Sequence, residues 1–232
     1  MGAQGILMIN ENVLKLLDFM KHTLLLLILI LSTAQANPGS FDSEGRFIYP
    51  ETSKPFTGNL DVINNDWGKD TVEFNKDYVD GLLHGAEKTY YQSGKLKSIG
   101  HFTKGILDGV VTGYYKDGSV QVVGHFSNGI KDGSVLYYYP NGSKQVEMFY
   151  DNGKLQGTVK TWYENGNVMK SIPYSKGMVH GTLEIYYESG VVFEEVEYNF
   201  GTPKYMRTYL EDGTVTDEKG FFDRKLIDRI VG

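Results

Sequence analysis

The sequence predicts an all-β fold: an elongated, twisted, single-layer antiparallel sheet of tandem 24-residue β-hairpin repeats. Three observations predict it. Aromatic residues recur at a step of 24, at Tyr78, Phe102, Phe126, Tyr150, Tyr174 and Tyr198, and so do Gly81, Gly105, Gly129, Gly153, Gly177 and Gly201. A fixed period of this length marks a repeat architecture. The composition agrees: glycine is 28 of 232 residues, about 12% where about 7% is usual, and tyrosine is 17. Finally, Ser-Gly, Asp-Gly and Asn-Gly pairs sit between alternating apolar and polar runs, which is the signature of a hairpin.

The N-terminus reads as an address. Leu24 to Leu31 is an unbroken aliphatic run of eight residues, too short for a membrane span of about 20 residues but suited to the core of a signal peptide. Lys21 and His22 precede it, and Ala34-Gln35-Ala36 supplies a small-residue cleavage site. Cleavage after Ala36 leaves residues 37–232 for export. Met20 is the start this reading favours, with residues 1–19 an upstream extension; Met1 remains the other start, and an uncleaved N-terminal anchor the other fate of the segment. Residues 37–54 read as a linker.

Residues 55–77 form a degenerate first unit, opened by Lys54-Pro55-Phe56-Thr57-Gly58 and lengthened around Asn64-Asn65-Asp66-Trp67. Five regular units fill 78–197. In each, a second glycine follows the first by four residues (Gly85, Gly109, Gly133, Gly157, Gly181), and a third lies in the turn (Gly94, Gly118, Gly142, Gly166, Gly190). Thr182-Leu183-Glu184-Ile185-Tyr186-Tyr187 shows the strand period, Glu188-Ser189-Gly190-Val191 the turn, and Val192 to Tyr198 the returning strand. The first two glycines of each unit lie in the link between hairpins. Ten strands at about 4.8 Å make a sheet about 48 Å long. A degenerate last unit, 198–214, has lost one residue, and Tyr205 replaces its second glycine. Residues 215–232 read as a C-terminal cap or tail. Phe222, Leu226, Ile227, Ile230 and Val231 share one face of a short helix that would cover the final sheet edge; a frayed tail is the alternative.

Strand parity assigns two faces. The packed face takes Val111, Val135, Val159 and Leu183; Tyr91, Tyr115, Tyr139, Tyr163 and Tyr187; Leu96, Val120, Val168 and Val192; and the aromatics from Phe102 to Tyr198. The other face takes Lys88, Thr112, Lys160, Glu184, His101, His125, Glu195 and Glu197. An aromatic column, Tyr90, Tyr114, Tyr138, Trp162 and Tyr186, runs through that polar face.

Composition excludes several classes. There is no cysteine, hence no disulfide framework, thiolate metal site or cysteine nucleophile. An exported chain without cysteine fits a bacterial periplasm. The net charge of −6 gives no electrostatic reason to bind nucleic acid or anionic lipid.

The unit Phe102-Thr103-Lys104-Gly105-Ile106-Leu107-Asp108-Gly109, then Tyr114-Tyr115-Lys116-Asp117-Gly118, is similar to the MORN-variant repeats of bacteria. It returns at Tyr174-Ser175-Lys176-Gly177-Met178-Val179-His180-Gly181 and Tyr186-Tyr187-Glu188-Ser189-Gly190, and the resemblance covers residues 55–214. It implies a twisted single-layer sheet of hairpins. Some bacterial proteins with such repeats are described as the antitoxin component of toxin–antitoxin modules; other MORN-type proteins are scaffolds or are linked to membranes and their lipids. These roles carry no residue motif that maps onto this chain. For an exported protein, the antitoxin role implies a toxin acting outside the cytoplasm.

Chemistry-bearing clusters are sparse. His101 and His125 occupy one repeat position in adjacent hairpins, about 9.6 Å apart at the backbone, with no third ligand in register. His84 and His180 lie four repeats apart. Glu194, Glu195 and Glu197 gather with Glu184 and Glu188, but acid–base work needs a cleft that separates two pKa values, so this cluster reads as solvated surface. The Asp-Gly pairs lack the spaced acids of a calcium loop and are explained by turn chemistry. Asn141-Gly142-Ser143 is a glycosylation sequon that coincides with a hairpin turn. No nucleophile elbow, P-loop or dinucleotide fingerprint occurs.

The candidate binding residues are therefore Tyr90, Tyr114, Tyr138, Trp162 and Tyr186, because tyrosine and tryptophan give contact area at low entropic cost. Cross-strand packing of the same rings is the alternative. The expectation is an exported, monomeric, non-catalytic module without metal or cofactor that binds a protein. The resemblance adds a toxin as the candidate partner. The alternative is a cell-envelope or membrane-surface scaffold binding lipid or a surface polymer. The expected location is the periplasm or envelope, with secretion as the other outcome.

Overall fold

The computed structural model describes residues 40–49, 53–68 and 71–220. The signal peptide expected over 1–36 and the helix expected from Phe222 to Val231 lie outside the described residues. The rest is an antiparallel meander in which each main strand pairs with the next in sequence. It begins with Gly58–Ile63, Val72–Val79, Leu82–Tyr90 and Leu96–Thr103, and ends with Val192–Asn199, Thr202–Tyr209 and Val215–Gly220. No ladder joins Val215–Gly220 to Gly58–Ile63, so the sheet is open. Among the described residues no helix is long and apolar enough to cross a membrane.

Two kinds of tight turn alternate along the two long edges. At one edge, Tyr115 N donates to Ser119 O and Gly118 N donates to Tyr115 O, with Gly118 at φ +101°. Asp117 Oδ1 accepts from Ser119 N and Oγ at 2.8 and 2.6 Å, and these bonds hold its carboxyl below the usual range. Asn141 repeats the arrangement toward Ser143. The turn thus uses the Asp/Asn-Gly-Ser chemistry for its own backbone. At the other edge, the link is itself a two-residue hairpin turn. Lys104 and Gly105 have φ of 51° and 80°, Asn128 and Gly129 of 49° and 78°. Positive φ at both central residues is the type I′ geometry, whose twist matches that of the strands it joins.

Both edges are stapled from unit to unit. The hydroxyls of Tyr91, Tyr115, Tyr139 and Tyr163 donate to the carbonyls of Tyr114, Tyr138, Trp162 and Tyr186 in the following unit at 2.7–2.8 Å. On the link edge, the N–H groups of Gly105, Gly129, Gly153, Gly177 and Gly201 donate to carbonyls of the preceding unit at 2.7–2.9 Å. The fixed tyrosine and the fixed glycine of the repeat are therefore the two ends of one clamp.

The core occupies one face. Val135 and Val159 are 0% and 1% exposed; Val111, Val122, Tyr137, Val146, Met148, Tyr150, Ile172, Leu183 and Ile185 join them. Leu107, Leu155 and Val179 reach the same cluster from the link edge, and Phe126, Tyr174 and Tyr198 pack against it. Burial of this depth on a single layer requires the sheet to curl round its own apolar face. Bulges supply the bend. One lies between Gly124 and Phe126, opposite Gly133 at φ +103°, where an added Cβ would stand 3.2 Å from His125 Cβ.

A second bulge corrects the parity assignment. The ladder pairs Val120 with Tyr114 but Val122 with Gly113, so two residues oppose one. The same shift pairs Leu96 with Tyr90, Val168 with Trp162 and Val192 with Tyr186. Cross-strand partners share a face, so these four aliphatics leave the core and stand half-buried beside the aromatic column.

The ends differ from the expected linker and tail. Ser40–Phe41, Phe47–Tyr49 and Lys54–Pro55 form a three-stranded sheet. It is anchored by Phe47, 0% exposed, whose ring lies 5.2 Å from Tyr78 and 6.0 Å from Phe56. Gly81 fits under it: an added Cβ would meet Phe47 O at 2.9 Å. Val215–Gly220 is a strand, pairing with Thr202–Tyr209 to complete the last hairpin.

A candidate binding face

The face opposite the core is ordered by one cross-strand row that spans the sheet. It runs Asp61, Asn75, Lys88, Ile99, Thr112, Val123, Leu136, Glu147, Lys160, Ser171, Glu184, Glu195, Arg207 and Glu218, each paired with the next. The row is charged or polar at both ends and largely apolar in the middle. Val110, 37% exposed, and Phe149, 50% exposed, enlarge that middle. Sequence reasoning described this face as polar because it sampled the columns holding Lys88, Lys160, His101 and His125. It overlooked Ile99, Val123, Leu136 and Phe149 in the same columns or beside them.

The structure places Tyr90, Tyr114, Tyr138, Trp162 and Tyr186 in one file, each the last residue of its strand and each half-buried. Their neighbours in the file are Leu96, Val120, Lys144, Val168 and Val192. Lys144 Nζ lies 5.5 Å from the centre of the Trp162 ring, a cation–π contact, and 3.4 Å from Glu147 Oε2. The rings thus stand in a stripe with aliphatic and lysine partners rather than alone.

Tyr209 extends the file, and sequence reasoning missed it. It pairs with Val215 through the same kind of bulge, and its carbonyl accepts from Tyr187 Oη at 2.9 Å. The available signal was the lost residue of the last unit, which shortens the step from Tyr186 to 23. Tyr209 Oη donates to Glu195 Oε1 at 2.6 Å, and Tyr186 Oη donates to Glu184 Oε2 at 2.8 Å. Burial first, and the Glu184 carboxylate second, push the Tyr186 phenol up to about 12. Arg207 joins this end of the face, with Nη1 3.4 Å from Glu195 and Nη2 3.2 Å from Glu218. The bond with Tyr209 holds the guanidinium above its ordinary pKa.

The acidic cluster read from the sequence is divided by the sheet. Glu184, Glu195 and Glu197 share this face, while Glu194 lies on the core side, in the row of Lys170 and Ile185. Burial raises the Glu194 carboxyl and lowers the Lys170 ammonium, and each partly offsets the other's shift. The histidines are not brought together. His101 Nδ1 lies 3.3 Å from Val110 O and His125 Nδ1 2.9 Å from Ser134 O, so each ring is tied to its neighbouring strand. His180 stacks on Phe200 at 4.2 Å. Among the described residues no group of three or more His, Asp or Glu side chains is placed to hold a metal ion.

Comparison with known families gives one description, the MORN repeat variant. It matches five times in tandem, at residues 83–104, 107–128, 131–152, 155–176 and 179–200. Each match begins next to a link turn and spans one hairpin. No match was found among curated proteins.

Proposed function

Because this chain belongs, through residues 83–200, to the MORN-variant repeat proteins, we propose that it is a non-catalytic module that holds another protein on the face opposite its core. One observation carries this reading. The aromatic file and the apolar middle of the same face form a continuous surface left uncovered by the chain's described residues, with Phe149 half exposed. A repeat array buries one face to fold and leaves the other for use, and exposed apolar patches mark contact sites. The short apolar run before Ala36 supports export to the periplasm or envelope, with the mature chain acting there as a monomer. A toxin acting outside the cytoplasm is the partner that the antitoxin role of some bacterial proteins with this repeat would supply.

The test is capture of a partner from the producing cell's envelope fraction by the chain and by a Tyr138→Ala/Trp162→Ala double variant. Both substitutions keep the backbone carbonyls that accept the tyrosine staples. The variant is expected to keep its β-sheet circular dichroism and to lose the captured protein. Equal capture by both chains overturns the assignment of this face.

A further inference from the structure

The partner's chemistry follows from how charge is arranged around the apolar middle. Resting on the binding role proposed above, we infer that this face takes a protein segment with an apolar centre and a basic cluster at each end, laid across the strands. The centre is built by Ile99, Val110, Val123, Leu136 and Phe149, with Tyr114 and Tyr138 along one side. Val110 and Phe149 are the exposed members.

The two ends carry an excess of carboxylates, and Asp61, Asp77 and Glu184 are hydrogen-bonded by neutral donors. At the first, Asn59 Nδ2 donates to Asp77 Oδ1 at 2.7 Å and Asn75 Nδ2 donates to Asp61 Oδ1 at 2.6 Å. The two amides also bond each other. At the second, Glu184 accepts from Tyr186, Glu197 is exposed, and Arg207 offsets only one of the two charges of Glu195 and Glu218. Amides and phenols orient a carboxylate without cancelling its charge, so both ends keep a negative potential that attracts cations.

Lys88 and Lys160 border the apolar centre inside these ends. A basic partner residue is repelled there, and its place is further out, over Asp61 and Asp77 or over Glu184 and Glu197. Nine ladders separate the strand of Asp77 from that of Glu184. At about 4.8 Å each this is about 43 Å, the length of about thirteen residues of extended chain.

The experiment measures binding of the full chain, by fluorescence anisotropy, to two labelled synthetic peptides. Both have a central stretch of about thirteen residues alternating Leu, Val and Phe with Ser; one is flanked by lysine triplets and the other by glutamate triplets. The lysine-ended peptide is expected to bind about tenfold tighter or better, and to weaken as salt rises. Leu136→Ser with Phe149→Ser is expected to abolish binding. Asp61→Asn, Asp77→Asn, Glu184→Gln and Glu197→Gln together are expected to erase the preference while leaving the apolar affinity. If both peptides bind equally and both need Phe149, the partner class is refuted and the binding face stands. If peptide binding is indifferent to Phe149, Tyr138 and Trp162, the face itself is refuted. Co-sedimentation with phosphatidylserine vesicles that Phe149→Ser abolishes would replace the basic segment by a lipid surface.

Discussion

The first regular hairpin and the later ones bury the same repeat position in opposite ways. Inside the array that position is Val111, Val135, Val159 and Leu183, all on the core side and nearly inaccessible. In the unit next to the N-terminal sheet it is Glu87, 4% exposed, and its cross-strand partner is Lys76 at 3.0 Å. Glu87 Oε2 is buried without a hydrogen-bond partner, and Lys76 Nζ also lies 4.9 Å from the centre of the Phe74 ring. Beside the pair, Thr89 and Ser98 share a buried hydroxyl contact of 2.7 Å where the next two units have Gly113 with Val122 and Tyr137 with Val146. The difference shows how an array of near-identical hairpins tells its ends from its middle. A valine position accepts any neighbouring unit, whereas a buried charge accepts only the strand that brings its counter-charge.

Removing half of the pair should have the largest effect. Lys76→Met leaves an unpaired buried carboxylate and is expected to cost about 3–5 kcal/mol in urea unfolding. Lys76→Met with Glu87→Val makes this junction resemble those between the later units. It should recover that loss, and by the behaviour of other buried ion pairs reach neutrality or exceed the parent by about 1–4 kcal/mol. If the double variant stays as destabilised as the single, the pair is more than a marker of the end.

A smaller effect sharpens the contrast from the inner side. Tyr139→Phe deletes the staple to Trp162 O and is expected to cost about 1 kcal/mol. Hydrogen exchange of the unit after the turn should speed up, while the Phe47–Phe56–Tyr78 cluster at the far end keeps its protection.

The smallest effect is a pH dependence confined to the C-terminal end of the face. The Tyr186 phenol is raised to about 12 against an ordinary 10, because the folded state buries it and bonds its proton to Glu184. Folded and unfolded chains both hold that proton below pH 10, so the contribution is fully present there. It is lost between about pH 10 and 12, where only the folded state still holds it. Tyr186→Phe should flatten the fall of the urea midpoint across that window and leave the slope of the midpoint against pH below it unchanged.

The sequence made the hairpins legible because two kinds of residue have little choice. Glycine in a type I′ or bulge position avoids a Cβ clash, and a strand with one buried face must alternate. Hence the period, the turns, the antiparallel sheet and the inward valines were all readable. Parity failed where a bulge interrupts it. Leu96, Val120, Val168 and Val192 look like core from spacing, yet one extra residue turns them to the other face. Tyr209 was hidden by the missing residue that makes its step 23. Phe47 and the small sheet around it follow no period, and Val215–Gly220 carries almost no apolar residue to alternate. The aromatic file was legible as a column, but its aliphatic neighbours and the apolar middle depend on register, which is a property of pairs rather than of one strand.

The neighbour-to-neighbour order of the ladders has a kinetic consequence. The widest rung of the sheet joins Gly58 to Tyr78, and the stapling bonds reach only one unit further along. Among the described residues no strand of this sheet waits for a distant segment, and closure entropy grows only slowly with loop length. Such an array can assemble with the speed of a locally connected helical protein despite being built of sheet. As each hairpin leaves the ribosome, the edge it needs has already been made, so unpaired edges are brief and the opportunity for intermolecular aggregation is short.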